Sequence, residues 1–356
     1  MSSEGPNDRQ PSIRVWALLG AHRGDNNQIL ALARALDLPF EEIALSYNWL
    51  RFLPPALLGT SVASLDEASR RLVGGEPPDL VIATGLRSVP VVRELKQRSG
   101  GRMRAVHLGY PRISPRHFDL VVSTPEYPVP DGPNVIRIPF ALTPHRERTV
   151  EQSDRELLNA FPQPRRLLLV GGPTLYWRLT GDRMTAAVRQ LLTAAETAGG
   201  SILAVGSPRT PADVLGATHA TLQSSPVPFM FEPGDGPPAY PALIEAADEI
   251  FVTADSVAMV ADAVTTGKPV GIVPIDKSGL GRAVMFVMDR LRPGKRLRPR
   301  DLRFFWAALR KEGFGGTLNR PSGSHPPDYL AEIAGRVRQL LGLADRPATI
   351  ARDSDR

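Results

Sequence analysis

Short apolar runs alternate with amphipathic stretches along most of the chain, and this alternation predicts its elements. Ile13 to Leu19 reads as a buried strand, the polar loop Gly20 to Asp25 follows, and Ile29, Leu32, Ala33 and Leu36 then recur on one helical face. Further strands are predicted at Ile43 to Leu45, Leu80 to Ala83, Ala105 to Leu108, Leu120 to Val122 and Val135 to Ile138, with helices between several of them. A second series starts with a strand at Leu167 to Val170. It continues through a helix near Arg183 to Thr197 and strands near Ile202 to Val205 and Phe229 to Phe231, and the last helices lie near Leu302 to Lys311 and Tyr329 to Leu341. Alternation of strand and helix implies parallel sheets covered by helices.

The most informative stretch is Asp248 to Ile275. Ile250 to Val252 reads as a short buried strand, and Thr253, Asp255 and Ser256 are residue types that cap helix starts by accepting bonds from free backbone NH groups. From Val257, the apolar residues Val257, Val260, Ala261 and Val264 keep helical spacing; Gly267 and Pro269 stop the helix and Val270 to Val273 begin the next strand. Such a helix opens with uncompensated NH groups and the positive end of its dipole, so a phosphate can dock at Ser256 and Val257. Asp262 lies nearly two turns further on.

This run resembles the donor-nucleotide helix of GT-B glycosyltransferases, in which a small polar turn binds the diphosphate and an acid within the helix holds the ribose hydroxyls. By that resemblance Ser256 matches the diphosphate turn and Asp262 the ribose acid. Taken with GAHRGDNNQ (Gly20 to Gln28), VGGPTLYW (Val170 to Trp177) and GSPRTP (Gly206 to Pro211), the stretch is similar to the bacterial and plant family named for mitochondrial fission Elm proteins, a GT-B group. The resemblance covers roughly residues 13 to 342. It implies an α/β protein of two Rossmann-like domains facing across a cleft. The expected division is a tail at 1–11, an acceptor-side domain at 12–145, a linker at 146–165 and a nucleotide-sugar-binding domain with C-terminal helices at 166–343, then a tail at 344–356. The boundary falls in Pro139 to Arg165, which carries prolines and opposite charges with few large apolar residues. In GT-B proteins a terminal helix typically crosses back to the first domain.

Composition narrows the picture. A chain of 356 residues without evident repeats suits two ordinary domains, and the absence of cysteine excludes disulfides and thiolate metal sites. No apolar run reaches membrane-spanning length and MSSEGPNDRQP lacks a signal-peptide pattern, so the expected location is cytoplasmic, at most peripheral at the inner face of a membrane. A net charge of +6 and a pI near 9.9 favour anionic partners. Nucleotide sugars and anionic lipid fit, whereas nucleic acid is not expected without a helix-turn-helix, zinc or RNA-binding signature.

Several further residues can carry chemistry. Gly171 and Gly172 follow a strand directly and let backbone approach an anion; a tight turn with unusual backbone angles accounts for the pair equally well. Arg209 sits after the strand Ile202 to Val205, where a guanidinium neutralises a leaving diphosphate, although most arginines are surface charges. Thr210 can cap the next helix. In the first loop, Asp25 or His22 is the candidate base for an acceptor hydroxyl, because burial tunes either pKa toward neutrality; the competing role is that Asp25 or Asn26 caps the helix while His22 stays at the surface. His107 is a third candidate and reads more readily as a satisfied core histidine. The run Arg292, Lys295, Arg296, Arg298, Arg300, Arg303, Arg310 and Lys311, interleaved with Phe304, Phe305 and Trp306, suits an anionic lipid surface if the rings face outward and a solvated face if they are core.

Other matches fail. TGKP (Thr266 to Pro269) lacks the first glycine and the serine or threonine of a P-loop, there is no GxSxG elbow, and the DxD at Asp353 to Asp355 lies in a polar tail and is assigned no metal. The expected donor-side set is therefore Gly171, Gly172, Arg209, Asp255, Ser256, Val257 and Asp262, with Asp25 and His22 on the acceptor side. A nucleotide sugar is the expected co-substrate and no metal or other cofactor is required. The expected reaction moves the sugar to a hydroxyl acceptor such as a lipid or lipid-linked glycan. A nucleotide-sugar epimerase and a non-catalytic membrane-associated binding protein are the alternatives.

Overall fold

In the computed structural model, which describes residues 13–143, 150–234, 236 and 238–343, each strand series forms its own parallel sheet. The expected tails, the DxD and the start of the expected linker lie outside the described residues. The first unit takes the chain up to Ser123, Val129–Arg137 and the chain from Asp328 onward; the second takes Thr124–Pro128 and Ile138–Pro327.

In the first unit β1 (Val15–Leu19) leads to α1 (Arg23–Ala35), β2 (Phe40–Ala44) to α2 (Pro55–Leu58) and α3 (Glu67–Leu72), and β3 (Leu80–Thr84) to α4 (Gly85–Arg98). β4 (Arg104–Leu108), β5 (Leu120–Ser123) and β6 (Val135–Arg137) complete a parallel six-stranded sheet in the order β2-β1-β3-β4-β5-β6. The inner strands are buried almost throughout, as apolar runs such as Leu80–Ala83 require when both sheet faces are covered. Helix α1 buries Ile29, Leu32 and Ala33, the face its spacing predicts. It begins at Arg23, earlier than expected, which places Asp25 in its first turn. The cause is local: Asn26 folds back on Gly20, its Oδ1 accepting from the Gly20 NH at 2.9 Å and its Nδ2 donating to the Gly20 carbonyl at 2.8 Å.

In the second unit α5 (Gln152–Asn159) precedes β7 (Arg165–Leu169), the short β8 (Trp177–Arg178), α6 (Gly181–Ala198), β9 (Ser201–Val205), α7 (Ala212–Gln223), β10 (Phe229–Glu232) and α8 (Tyr240–Ala246). β11 (Glu249–Thr253), α9 (Val257–Val264), β12 (Val270–Val273), β13 (Asp276–Lys277), α10 (Gly279–Leu291), α11 (Leu302–Glu312) and β14 (Gly316–Thr317) follow. The main sheet runs β10-β9-β7-β11-β12-β14, again parallel, while β8 and β13 form a small antiparallel pair. The core on the α6 face is a continuous cluster in which Leu168, Met184, Val188, Leu191, Ile202 and Phe251 are buried.

Two segments depart from a simple linear division. Where a linker is expected, α5 packs on α8: Asp154 accepts from the Ala239 NH at 2.9 Å, and Arg155 pairs with Glu245 at 3.0 Å. Phe140 stacks edge-on against Phe314 at 5.6 Å in the same unit. The last helix, α12 (Tyr329–Leu340), belongs to the first unit although the expected second domain runs to 343; it packs on α1 and Arg338 donates to the Leu36 carbonyl at 2.9 Å. Its buried face, Leu330, Ile333, Ala334 and Val337, needs an apolar partner and finds one there.

Candidate functional site

In a doubly wound sheet the strand order reverses at one point, and the loops leaving the two strands there diverge to opposite faces and open a crevice at their C-terminal ends. In the second unit that point lies between β7 and β11, because β9 and β10 extend on one side and β12 and β14 on the other. The loops that meet there are Val170–Gly172 and Ala254–Ser256, two of the stretches singled out in the sequence.

They are bound to each other. The Gly171 NH donates to Thr253 Oγ1 at 2.8 Å, and the Gly172 NH donates to Asp255 Oδ2 at 2.8 Å. Neither glycine is among the positive-φ residues, so unusual backbone angles are not what the pair supplies. Close approach is: a Cβ on Gly171 would stand 2.2 Å from Asp255 Oδ2, and one on Gly172 would stand 2.4 Å from the Arg209 carbonyl oxygen. Thr210 completes the arrangement, its hydroxyl lying 2.9 and 2.7 Å from the carbonyls of Val170 and Gly171 while accepting from the Ser207 NH at 2.8 Å. Its capping role is thus replaced by a brace between two loops.

Helix α9 opens at this crevice. Ser256 is its N-cap and accepts from the Met259 NH at 3.4 Å, while the Ser256 carbonyl takes the Val260 NH at 3.0 Å. The NH groups of Val257 and Ala258 remain at the open end of the first turn, which carries no acid, and Ala258 is exposed. Asp255 is 3% exposed and its Oδ1 has no hydrogen-bond partner. Burial pushes its carboxyl above the usual range, opposed by the Thr253 hydroxyl, the Gly172 NH and the charge of Arg209. Arg209 is exposed and within electrostatic reach of Asp255, so five expected donor-side residues besides Val257 and Asp262 share one crevice rim. Asp262 sits further along α9, half-buried, with its Oδ2 3.3 Å from the Tyr240 hydroxyl at the start of α8.

Sequence reasoning missed Tyr240, whose only signal is an aromatic after a proline-rich loop, and it missed the bracing roles of Thr253 and Thr210. The adjoining loop is held by α10: the Ser278 NH donates to the Tyr176 carbonyl at 2.9 Å and the Ser278 hydroxyl donates to that of Leu175 at 3.1 Å. A cavity of about 400 Å³ opens beside Ala254, lined by Arg183, Ala187, Ile272, Trp306, Leu309 and Arg310 among others, and none of the expected site residues except the neighbours of Ala254 come near it in sequence.

In the first unit, His22 holds the N-cap position of α1 without a side-chain cap bond and is exposed. Asp25 is half-buried in the first turn, and neither it nor Asn26 acts as the N-cap. His107 is fully buried in β4, but it is not satisfied: neither ring nitrogen has a hydrogen-bond partner, and burial pushes its pKa down to about 3. Lys268 of the TGKP run donates to the carbonyls of Ile244 and Glu245 at 2.9 and 2.7 Å and closes the end of α8.

The basic aromatic run does not present its rings outward. Phe305 is fully buried, Trp306 donates to the Ala254 carbonyl at 2.8 Å, and Phe304 lies under the Arg296 guanidinium at 4.4 Å. Arg303 is committed to Asp301 and Asp289 at 2.9 and 3.1 Å. The second unit's core takes Phe305, and the solvated-face reading holds for Arg292, Lys295, Arg298, Arg310 and Lys311, whereas Arg296, Arg300 and Arg303 are half-buried and paired within the unit. Among the described residues no helix is long and apolar enough to cross a membrane, and no cluster of acids and histidines has metal-binding geometry.

Comparison with known proteins agrees with this architecture. The profile of the family described as Mitochondrial fission ELM1 matches residues 23–344. The mitochondrial fission protein ELM1 of Arabidopsis thaliana is 24% identical over 250 residues, which cover 62% of this chain and 57% of the plant protein. An uncharacterized protein of Rickettsia prowazekii is 26% identical over 111 residues, 31% of each chain. The matches thus span little more than half of the plant relative and about a third of the bacterial one. Among solved structures, a candidate UDP-N-acetylglucosamine 2-epimerase from Listeria monocytogenes superposes with a TM-score of 0.50 at 14% identity, covering 95% of this chain and 99% of its own. A UDP-glucosyltransferase from Polygonum tinctorium reaches 0.50 at 12% identity, covering 87% and 91%, and a spinosyn forosaminyltransferase reaches 0.50 at 14%, covering 93% and 99%. These likenesses show the fold: two Rossmann-like domains of the GT-B kind.

Proposed function

The chain belongs to the mitochondrial fission ELM1 family, and from that premise we propose that it is a GT-B glycosyltransferase whose second unit holds the diphosphate of a nucleotide-activated sugar at the β7/β11 switch point. The observation that carries this reading is the mutual bracing of the Gly171–Gly172 turn and the Asp255–Ser256 turn at the open, acid-free first turn of α9. Two NH groups, the helix dipole and Arg209 there form a preorganised site for negative charge.

In the proposed reaction the bond from the anomeric carbon to the diphosphate breaks, and the electron pair leaves with the diphosphate oxygen. The NH groups of Val257 and Ala258 and the guanidinium of Arg209 hold that charge. An acceptor hydroxyl oxygen bonds the anomeric carbon and gives its proton to a base, for which Asp25 is the first candidate and His22 the second. Asp262, with Tyr240 against it, takes the ribose hydroxyls. The basic aromatic run at Arg292 to Lys311 is what suggests a lipid or lipid-linked glycan as acceptor, and with Phe305 buried and Trp306 bonded to Ala254 only its charges still support that class. The fold is equally that of an epimerase, for which the Listeria likeness speaks; an epimerase converts donor without any acceptor, so product analysis with donor alone separates the two. A non-catalytic binding protein would consume no donor under either condition.

A thermal-shift screen against nucleoside diphosphates and nucleotide sugars tests the site, since a ligand that binds only the folded state raises its stability. One base should give a shift that Ser256→Ala reduces and Asp262→Ala lowers by about 10- to 100-fold in affinity, the worth of about 1.5–3 kcal/mol of hydrogen bonding to a charged group. Unchanged affinity in a folded Asp262→Ala protein removes the ribose assignment, and no shift with any nucleotide removes the donor site.

A further inference from the structure

The largest cluster of exposed apolar side chains in the first unit lies between β2 and α3, far in sequence from every residue assigned above. Trp49 is 73% exposed, Phe52 74% and Leu57 75%, with Leu53 between them at 38%. Single exposed leucines are ordinary; two aromatics and two leucines within one short stretch mark an interaction surface.

The stretch is held out by a pinned base. Asn48 accepts from the Leu50 NH at 2.9 Å and donates to the carbonyls of Ala63 and Leu65 at 2.7 and 2.9 Å. At the other end Arg93 donates to the Gly59 carbonyl at 3.0 Å and the Ser61 NH donates to the Pro90 carbonyl at 3.3 Å. Pro54 and Pro55 stiffen the middle. The apolar side chains therefore stand on a backbone tied to α4.

Within the stretch itself the charge has one sign, although Glu41 and Glu42 stand exposed on β2 before it and Glu94 follows Arg93 on α4. No acid occurs between Leu45 and Leu65. Arg51 lies over the Phe52 ring at 4.9 Å, Arg87 acts electrostatically on Tyr47, and Arg93 and Arg116 both act on His117. The next acids downstream are engaged locally, Asp66 accepting from the Ser69 NH at 2.8 Å and Glu67 pairing with Arg71. Tryptophan, phenylalanine and leucine flanked by Arg51 and Arg93 match the headgroup layer of an anionic bilayer, where rings enter the interface and guanidinium groups meet lipid phosphates.

We propose that the Trp49–Leu58 segment of the first unit docks the protein on an anionic lipid surface. This surface is separate from the nucleotide reading and stands or falls without it.

The test is co-sedimentation of the full chain with vesicles of phosphatidylcholine alone and of phosphatidylcholine mixed with phosphatidylglycerol. Binding to the mixed vesicles is expected to be roughly tenfold stronger or more and to weaken with salt, with a blue shift in tryptophan emission from Trp49. Trp49→Ser combined with Phe52→Ser and Leu57→Ser should lower the binding roughly tenfold or more. Arg51→Glu, which leaves the apolar side chains in place, should lower it on mixed vesicles only, and the melting temperature of each variant shows that it is folded. α10 supplies the control, because Phe286 and Leu291 are also exposed; Phe286→Ser with Leu291→Ser should bind like the wild type. The proposal is overturned if the wild-type protein stays in the supernatant, if the triple variant and Arg51→Glu both bind as the wild type does, or if the α10 variant alone loses binding. It is equally overturned if sedimentation velocity shows a dimer lost in the triple variant while vesicles bind neither protein.

Discussion

At the switch point of the second unit, the two loops hold each other across more than 80 residues of sequence, with the NH groups of Gly171 and Gly172 ending on Thr253 and Asp255. The switch point of the first unit, between β1 and β3, has the same topology and a different pattern of backbone ties. There Gly20 is held by Asn26, six residues on, while Thr84 donates its hydroxyl to the Leu108 carbonyl at 2.8 Å and Gly85 turns straight into α4 with φ 73°. The electrostatics differ in the same way. The first turn of α9 holds no acid, whereas that of α1 holds Asp25, whose charge already complements the positive end of its dipole. One topology is therefore secured in two ways: by direct bonds between the two loops in the second unit, and by Asn26 on Gly20 and the Thr84 hydroxyl on Leu108 in the first.

The sharpest way to break this contrast is through the glycines. Gly171→Ala and Gly172→Ala each force a side chain into an occupied position, and a cost of about 3 kcal/mol in urea unfolding is expected, with loss of any nucleotide-induced thermal shift. Gly20 has nothing within 4 Å of its virtual Cβ, so Gly20→Ala should stay within about 0.5 kcal/mol of the wild type. Equal costs at the two switch points would show that the bracing does not matter.

Acid should act on the units with opposite sign. Burial pushes the His107 imidazole down from its ordinary value of 6.5 to about 3 in the fold, so the unfolded state binds the extra proton between those values. Its contribution is fully present above pH ~6.5 and is lost as pH falls, by about 1.4 kcal/mol per unit at most. Hydrogen exchange followed from pH 7 to 5 should show β3 to β5 losing protection, and His107→Leu should flatten that slope. An unchanged slope would mean the imidazole is hydrated or paired.

Asp255 works the other way. Its raised pKa means that the fold binds the proton more tightly, a stabilisation complete below the carboxylate's ordinary pKa and lost as pH rises through the raised value. Asp255→Asn keeps an oxygen for the Gly172 NH and removes the buried charge, so the melting temperature at neutral pH should rise, by about 1 kcal/mol in stability, with the gain vanishing in acid. A destabilised Asp255→Asn protein at neutral pH would contradict the assignment of burial as the dominant influence. The most local effect belongs to the brace in the first unit: Asn26→Ala should cost about 1 kcal/mol, confined to the start of α1 in hydrogen exchange.

Most elements were legible because their causes are short-range. Val15–Leu19, Leu80–Thr84 and Val270–Val273 are continuous apolar runs, and α1, α6 and α12 bury the stripes their spacing shows. Ser256 as the cap of α9 followed from residue type and from the apolar period behind it. Helix α10 was not anticipated, because Leu280, Phe286, Val287 and Leu291 face outward and blur its periodicity. The orientation of Phe305 and Trp306 was open in the sequence, since alternating arginines and aromatics are compatible with either face being buried.

The sequence by itself determined the alternation of strand and helix, the two sheets, and the dense polar loops at strand ends, because each depends on neighbours a few residues apart. Only the tertiary structure decided that Gly171 and Gly172 are glycines for the sake of Asp255 and Arg209 and not for their own backbone angles. It likewise decided that Tyr240 meets Asp262, that His107 is buried without a partner, and that α12 packs with α1. Such contacts join residues tens to hundreds of positions apart, and their free energy comes from burial and bond geometry that exist only once the sheets have formed.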